Sequence, residues 1–375
     1  MAKFIVHIGD GKCGSSAMQA AMFDARTTLK EQGFLYKSHH RTSGNFCLGT
    51  LLGKSTRGNN ARQREFALQT IAQLSAELDD VDYVLVSSEA FLTLDPEEVV
   101  EILQMITLDI ERIDVIAYVR DPLGMYLSLA QQSIKASYRF PRPDTYVRPL
   151  DRFLDKFQSY PMIDSVTVRM FDRSQLVKAN AVADFEHVIC ELTGKEGLGL
   201  EHINENTSLS SEQMVVLQDY RAKFCRDIDG KAAPGSSRLI DFMMTMNENG
   251  LVGNKPTLSS DAAALVAQGN ADIIDRLNRL YGFTLRCDRP EVGSIPAERS
   301  WSHISNILTD VQPGYVHHIK MLVPAFNPAL EAGDMEKGLK SMHKLIELEP
   351  SKAEAIERAT KIYWTTESIA GLVSS

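Results

Sequence analysis

Cysteine is sparse in this 375-residue chain: Cys13, Cys47, Cys190, Cys225 and Cys287 lie far apart, and none belongs to a C-x-x-C pair. An odd, dispersed set argues against a disulfide framework or a zinc site and fits the free thiols of the cytosol. No run of 18 apolar residues occurs, so no membrane span is expected. The opening stretch MAKFIVHIGDG has no basic segment ahead of a long apolar core, so it does not read as a secretory signal. These absences together give a cytoplasmic expectation. An excess of positive charge is missing too. The net charge of −9 makes nucleic acid a poor general partner, although a few local cations and backbone N–H groups suffice to bind a small anion.

What remains is ordinary globular material, 44% hydrophobic and 24% charged. The length allows one large domain with an extension, or two domains. Short apolar runs punctuate helical stretches: KFIVHIG at the start, GFLY (33–36), DYVLVSSE (82–89), IDVIAYVRD (113–121) and SVTVRMF (165–171). Between them, REFALQTIAQLSAEL (64–78) and PEEVVEILQMI (96–106) carry apolar residues at three-to-four spacing. The second opens on Asp95-Pro96, a helix start signal. Strands alternating with helices imply an α/β fold, a P-loop-like, mostly parallel sheet flanked by helices. Ligands of such sheets sit outside the carboxyl ends of the strands, and the strands here run into GDGKCGSS, SSE and RDP.

After about residue 205 the pattern becomes helical. SLSSEQMVVLQDYRAKF reads as a helix capped by serine with Glu212, and 259–282 as one long helical stretch. Residues 283–300, with Pro290 and Pro296, read as a linker, and 301–375 as a helical tail with a hairpin broken at Pro350. The expected division is a nucleotide-binding α/β domain over 1–285 and a linker with helical C-terminal extension over 286–375. The tail is expected to pack on the core or mediate homo-oligomer formation, not to carry catalytic groups.

The stretch HIGDGKCGSS (7–16) has the strand–loop–helix setting of a phosphate-binding loop. Gly9 and Gly14 match the Walker spacing G-x-x-x-x-G-K-[ST]. Ser15, however, stands where the lysine belongs, and the only loop lysine, Lys12, comes three positions early. Gly11, Cys13, Gly14, Ser15 and Ser16 supply backbone N–H groups and hydroxyls, and the following helix N-terminus favours an anion. In VRDPLGMYLS, Arg120 ends a strand and Ser128 lies two turns into the next helix. A guanidinium and a hydroxyl so spaced suit one phosphate.

Together, HIGDGKCGSSAMQ and VRDPLGMYLS resemble the 5′-phosphosulfate loop and the 3′-phosphate motif of sulfotransferases that use 3′-phosphoadenosine-5′-phosphosulfate (PAPS). VLVSSEAF (84–91) and INENTSLSSEQ (203–213) are similar to segments of the bacterial, glycan-type members. The resemblance spans roughly residues 1–285. It implies PAPS as donor, PAP as product and no metal. It places Lys12 near the bridging oxygen where leaving-group charge develops, and Arg120 and Ser128 on the 3′-phosphate. It also implies a glutamate base at Glu89, with His39 and His40 as rival bases or substrate contacts. The acceptor expected is a hydroxyl of a saccharide or glycolipid. Two departures stand out: Cys13 replaces a frequent Thr or Ser, and no K-G-x-x-G-x-W segment is present, so adenine contacts stay unassigned. Other readings are a P-loop kinase or NTPase, which lacks its lysine here, and a non-catalytic nucleotide-binding scaffold. By strand alternation His7 faces the core.

Overall fold

The computed structural model describes residues 1–53, 60–202, 208–251, 253–285 and 300–360. Two compact units emerge, neither continuous in sequence. The first comprises residues 1–121, 148–205 and 272–286; the second comprises 122–147, 206–271 and 287–375.

The first unit is built on five parallel strands: β1 (Ala2–His7), β2 (Phe34–Tyr36), β3 (Tyr83–Ser87), β4 (Ile110–Val119) and β5 (Ser165–Met170), in the order β2-β3-β1-β4-β5. Their apolar runs are nearly continuous because both faces are covered: Phe4, Ile5 and Val6 of β1, and Val115 to Val119 of β4, are essentially inaccessible. Helices α1 (Ser15–Asp24), α2 (Arg26–Glu31), α3 (Asn60–Ala76) and α4 (Pro96–Gln104) make the first crossovers. At α4 the Asp95 side chain and Glu98 form a reciprocal capping box with Pro96 at the first turn, an arrangement worth about 1 kcal/mol.

Helix α5 (Pro122–Ala136) belongs to the second unit, and the chain returns to the first with α6 (Leu150–Gln158) and α7 (Ala181–Thr193). Buried Asp184 ties α7 to the sheet, accepting from Tyr118 Oη (2.8 Å), Arg169 Nε (3.0 Å) and the Val177 N–H (3.0 Å). Burial alone would raise its carboxyl, but the bonds from Arg169, Val177 and Tyr118 hold it below the usual range.

The second unit is helical, with α5, α8 (Ser211–Phe224), α9 (Pro234–Glu248) and α10 (Ser260–Gly269). α11 (Ala271–Tyr281) falls almost wholly in the first unit, and α12 (Pro313–Met321), α13 (Pro328–Glu331) and α14 (Met335–Leu348) complete the second. Three details differ from the sequence reading. The cap of α8 pairs Ser210 with Gln213 rather than Glu212; Glu212 is buried and accepts from the Asn254 and Gln312 N–H groups (3.0 and 3.1 Å). The helical stretch 259–282 breaks at Asn270, whose side chain turns to the carbonyls of Tyr146 and Val266. Residues 206–271 group with the C-terminal helices, because α12 packs on α8, whereas the sequence suggests a linear boundary at 285/286. Residues 353–360 resume helix after a turn at Pro350–Lys352. The expected linker lies mostly outside the described residues, as does part of the 203–213 motif. No helix among the described residues is long and apolar enough to cross a membrane.

Candidate functional site

β1 is flanked by β3 on one side and β4 on the other, so the carboxyl ends of all three converge. The loop after β1 continues the sheet pattern. Ile8 N–H donates to Ile116 O, Asp10 N–H to Tyr118 O, and Ser88 N–H to His7 O, each at 2.9 Å. The chain then turns sharply: Lys12 has φ 67 and Gly14 φ 80. A lysine in the left-handed region is uncommon and marks a held conformation. At Gly14 the requirement for glycine is doubled, since a Cβ would stand 2.8 Å from Ala181 Cβ and 2.9 Å from Phe171 Cε2.

Gly14 caps α1 without any side-chain hydrogen bond, leaving the first backbone N–H groups of the helix to other acceptors. Ser15 is 2% exposed and its Oγ has no hydrogen-bond partner among the described residues. A buried hydroxyl of this kind needs an explanation, and an anion seated on the α1 N-terminus supplies one. Ser16 and Lys12 are exposed. Cys13 is fully buried; burial and the carboxylates of Asp10 and Glu89 push its thiol up, against Arg120 and Arg148. Its side chain is therefore packing, and only its backbone is available to a ligand.

Glu89, half-buried, begins a short 3-10 turn directly after β3. Its carboxylate lies against the loop: a Cβ on Gly11 would meet Glu89 Oε2 at 3.2 Å. Arg120, just past the end of β4, donates to Lys12 O (3.4 Å), and its guanidinium lies 5.9 Å from the Phe171 ring centre. The loop, Glu89 and Arg120 thus share one end of the first unit. Ser128 lies on α5 in the second unit.

Two groups had no signal in the sequence. Asp10, 1% exposed, is held by Arg148, whose Nε lies 3.3 Å from Oδ2, and it accepts the Gly11 N–H at 2.9 Å. Burial pushes the Asp10 carboxyl above its ordinary range, with Arg148 and the Gly11 N–H pulling the other way. The second is Asn45, wholly buried. It donates to Lys37 O (2.7 Å), while its Oδ1 accepts the Ser87 N–H (2.9 Å) and its own N–H donates to Ser87 O (2.7 Å). This clamps the 37–45 loop to the end of β3, two residues before Glu89. Gly44 fits there at φ 50, with Ser87 O only 2.5 Å from where a Cβ would stand.

On that loop His39 stacks on Phe66 (4.5 Å) and His40 meets the same ring edge-on (5.5 Å). Burial, and next His40, lower the pKa of His39. The polar contacts of His40 among the described residues are with Ser38, and none is with Glu89 or the glycine loop. His7 is buried, as strand alternation implies. Its Nδ1 pairs with Ser87 Oγ (2.8 Å), and burial lowers its pKa to about 4.

No family model, curated protein or solved structure matches the chain.

Proposed function

We propose that the chain is a PAPS-dependent sulfotransferase that moves a sulfuryl group to an acceptor hydroxyl, on a carbohydrate or glycolipid. The observation that carries the reading is the α1 N-terminus at Gly14, capped by no side chain, with the buried Ser15 Oγ, which has no hydrogen-bond partner among the described residues, beside it, preceded by an exposed Lys12 in a left-handed turn. These groups fit the 5′-phosphosulfate. Gly11, Cys13 and Gly14 would offer backbone, Ser15 and Ser16 hydroxyls, and Lys12 a cation at the leaving oxygen. Arg120, close to the same loop, would meet the 3′-phosphate. The resemblance gives Ser128 the same phosphate, but the reading rests on Arg120.

The transfer breaks the bond between sulfur and the bridging oxygen and forms one to the acceptor oxygen. The acceptor proton passes to a base, and PAP leaves with the electron pair of the broken bond. Glu89 is the base in this reading, because its carboxylate already lies against Gly11. His40, exposed and turned to Phe66, is the lesser candidate. No metal takes part in the scheme.

Calorimetry on the whole chain with PAP, 5′-AMP and Mg-ATP tests this. PAP in EDTA is expected to bind best, and Arg120→Ala to weaken PAP by about 1.5–3 kcal/mol with 5′-AMP nearly unchanged. Equal affinity for PAP and 5′-AMP overturns the assignment, and preference for Mg-ATP favours a kinase.

A further inference from the structure

The second unit holds a side-chain relay that the scheme above does not use. His303 stands just before a short 3-10 turn, Ile304–Asn306, and its two ring nitrogens meet different partners. Nδ1 lies 2.7 Å from Ser305 Oγ, and Nε2 lies 3.0 Å from Asp219 Oδ1 on α8. Nδ1 also accepts the Ser305 N–H at 3.4 Å, so it carries the lone pair. The ring proton is then on Nε2, donated to Asp219. A hydroxyl, an imidazole and a carboxylate joined in that order are the parts of an activated serine. The two ring nitrogens have exchanged places relative to the commonest arrangement, but such a relay is recognised by its geometry and roles.

Capping of the turn accounts for the Nδ1 side and not for Asp219, which lies 84 positions away in sequence. A cap needs only a lone pair. The carboxylate fixes which nitrogen holds that lone pair, and it stabilises the imidazolium formed when the serine gives up its proton. Burial alone would raise the Asp219 carboxyl, but the bonds from His303 and from Lys320, which takes Oδ2, hold it below the usual range. The base is locked in place as well. Gln218, next to Asp219 on α8, donates to Ser302 O (2.9 Å) and accepts the Ile304 N–H (2.6 Å), so it grips the backbone on both sides of His303. A working site needs supporting contacts of this kind. The His303 side chain is 38% exposed and Ser305 is half-buried, which leaves the hydroxyl within reach of a small substrate.

We infer that Ser305, His303 and Asp219 form a second active site, which hydrolyses small carboxylic esters. This activity is separate from the sulfuryl transfer proposed for the first unit. Ser305 Oγ attacks the ester carbonyl carbon while its proton passes to His303 Nδ1. The bond from that carbon to the alcohol oxygen breaks, the alcohol leaves with the proton, and an acyl-serine remains. Water then adds to the acyl carbon, giving a proton to Nδ1. The bond to Oγ breaks, Nδ1 returns the proton to Ser305, and the carboxylic acid departs. An ester fits better than an amide because its alcohol leaves with less help. The oxyanion donor that this geometry offers is the loosely held Ser305 N–H.

The test treats the full chain with a fluorophosphonate, which transfers its phosphonyl group to an activated serine with loss of fluoride. Peptide mass spectrometry locates the label, and hydrolysis of p-nitrophenyl acetate is followed on the same preparations. The label is expected on Ser305, together with ester hydrolysis that Ser305→Ala removes. His303→Ala should slow both reactions at least tenfold, and added imidazole should restore part of the labelling, which a merely structural role would not allow. Asp219→Asn keeps the size of the side chain and should also slow both at least tenfold. Melting temperatures show that each variant is folded, and Ser305→Ala, which removes one hydroxyl, decides the matter should either of the others unfold. Absence of label from Ser305, labelling without ester turnover, rates unchanged in folded His303→Ala and Asp219→Asn, or hydrolysis that survives Ser305→Ala each overturns the inference.

Discussion

Arg148 spans 138 positions of sequence to neutralise Asp10, a carboxylate buried within the glycine loop that follows β1. Left alone, that negative charge would oppose a phosphosulfate. Paired, it fixes the loop through the Gly11 N–H while its field is offset. Arg148→Met should leave the carboxylate buried and unpaired, costing about 3 kcal/mol and weakening PAP. Asp10→Asn with Arg148→Met should recover part of the stability, since no buried charge is then orphaned. A double-mutant cycle by denaturant unfolding checks this, and strict additivity of the two losses would show that the pair is not coupled.

Gly14 is the tightest point of the loop. Gly14→Ala must hold φ 80 and push against Ala181 and Phe171, a strain of about 1–3 kcal/mol. The expected result is a lower melting temperature and a clear loss of PAP affinity. Gly53, at φ 72 with nothing near its would-be Cβ, is the control. Gly53→Ala should bear only the backbone cost and leave PAP binding intact.

The sheet was legible because β1 to β5 are short apolar runs closed by polar residues. Parallel pairing then had to gather the ends of β1, β3 and β4 at one edge. The loop glycines, Lys12, Glu89 and Arg120 could be picked out for the same reason: each lies at a strand end. Arg148 and Asn45 could not be. They act on partners far away in sequence, Asp10 and Ser87, and nothing in their own neighbourhoods marks them. The break at Asn270 was hidden as well, since it depends on a hydrogen bond to Tyr146 O rather than on a proline. The grouping of 206–271 with the C-terminal helices depends on α8 packing against α12, which no local pattern encodes.

His7 gives the fold a defined acid sensitivity. Burial lowers its pKa from 6.5 to about 4, so the folded state refuses a proton that the unfolded chain accepts. The stability it contributes is complete above pH 6.5 and is lost as pH falls from there toward about 4, by up to about 3 kcal/mol. His7→Gln, which can keep a bond to Ser87, should flatten the stability profile over that window. An unchanged slope in the variant would show that His7 is not the group responsible.

In the proposed reaction Lys12 serves the donor and Glu89 the acceptor, and transfer of radiolabelled sulfuryl from PAPS to a saccharide in EDTA separates the two roles. The wild-type chain should turn over without metal. Lys12→Ala should slow transfer to every acceptor by about 10²–10³ and weaken PAP somewhat. Glu89→Gln should lower turnover by about 10²–10⁴, lose the acidic limb of the rate–pH profile and keep near wild-type PAP affinity. No label transfer by the wild-type chain to any hydroxyl would overturn the proposed reaction, and full activity in Glu89→Gln with loss in His40→Ala would move the base to His40.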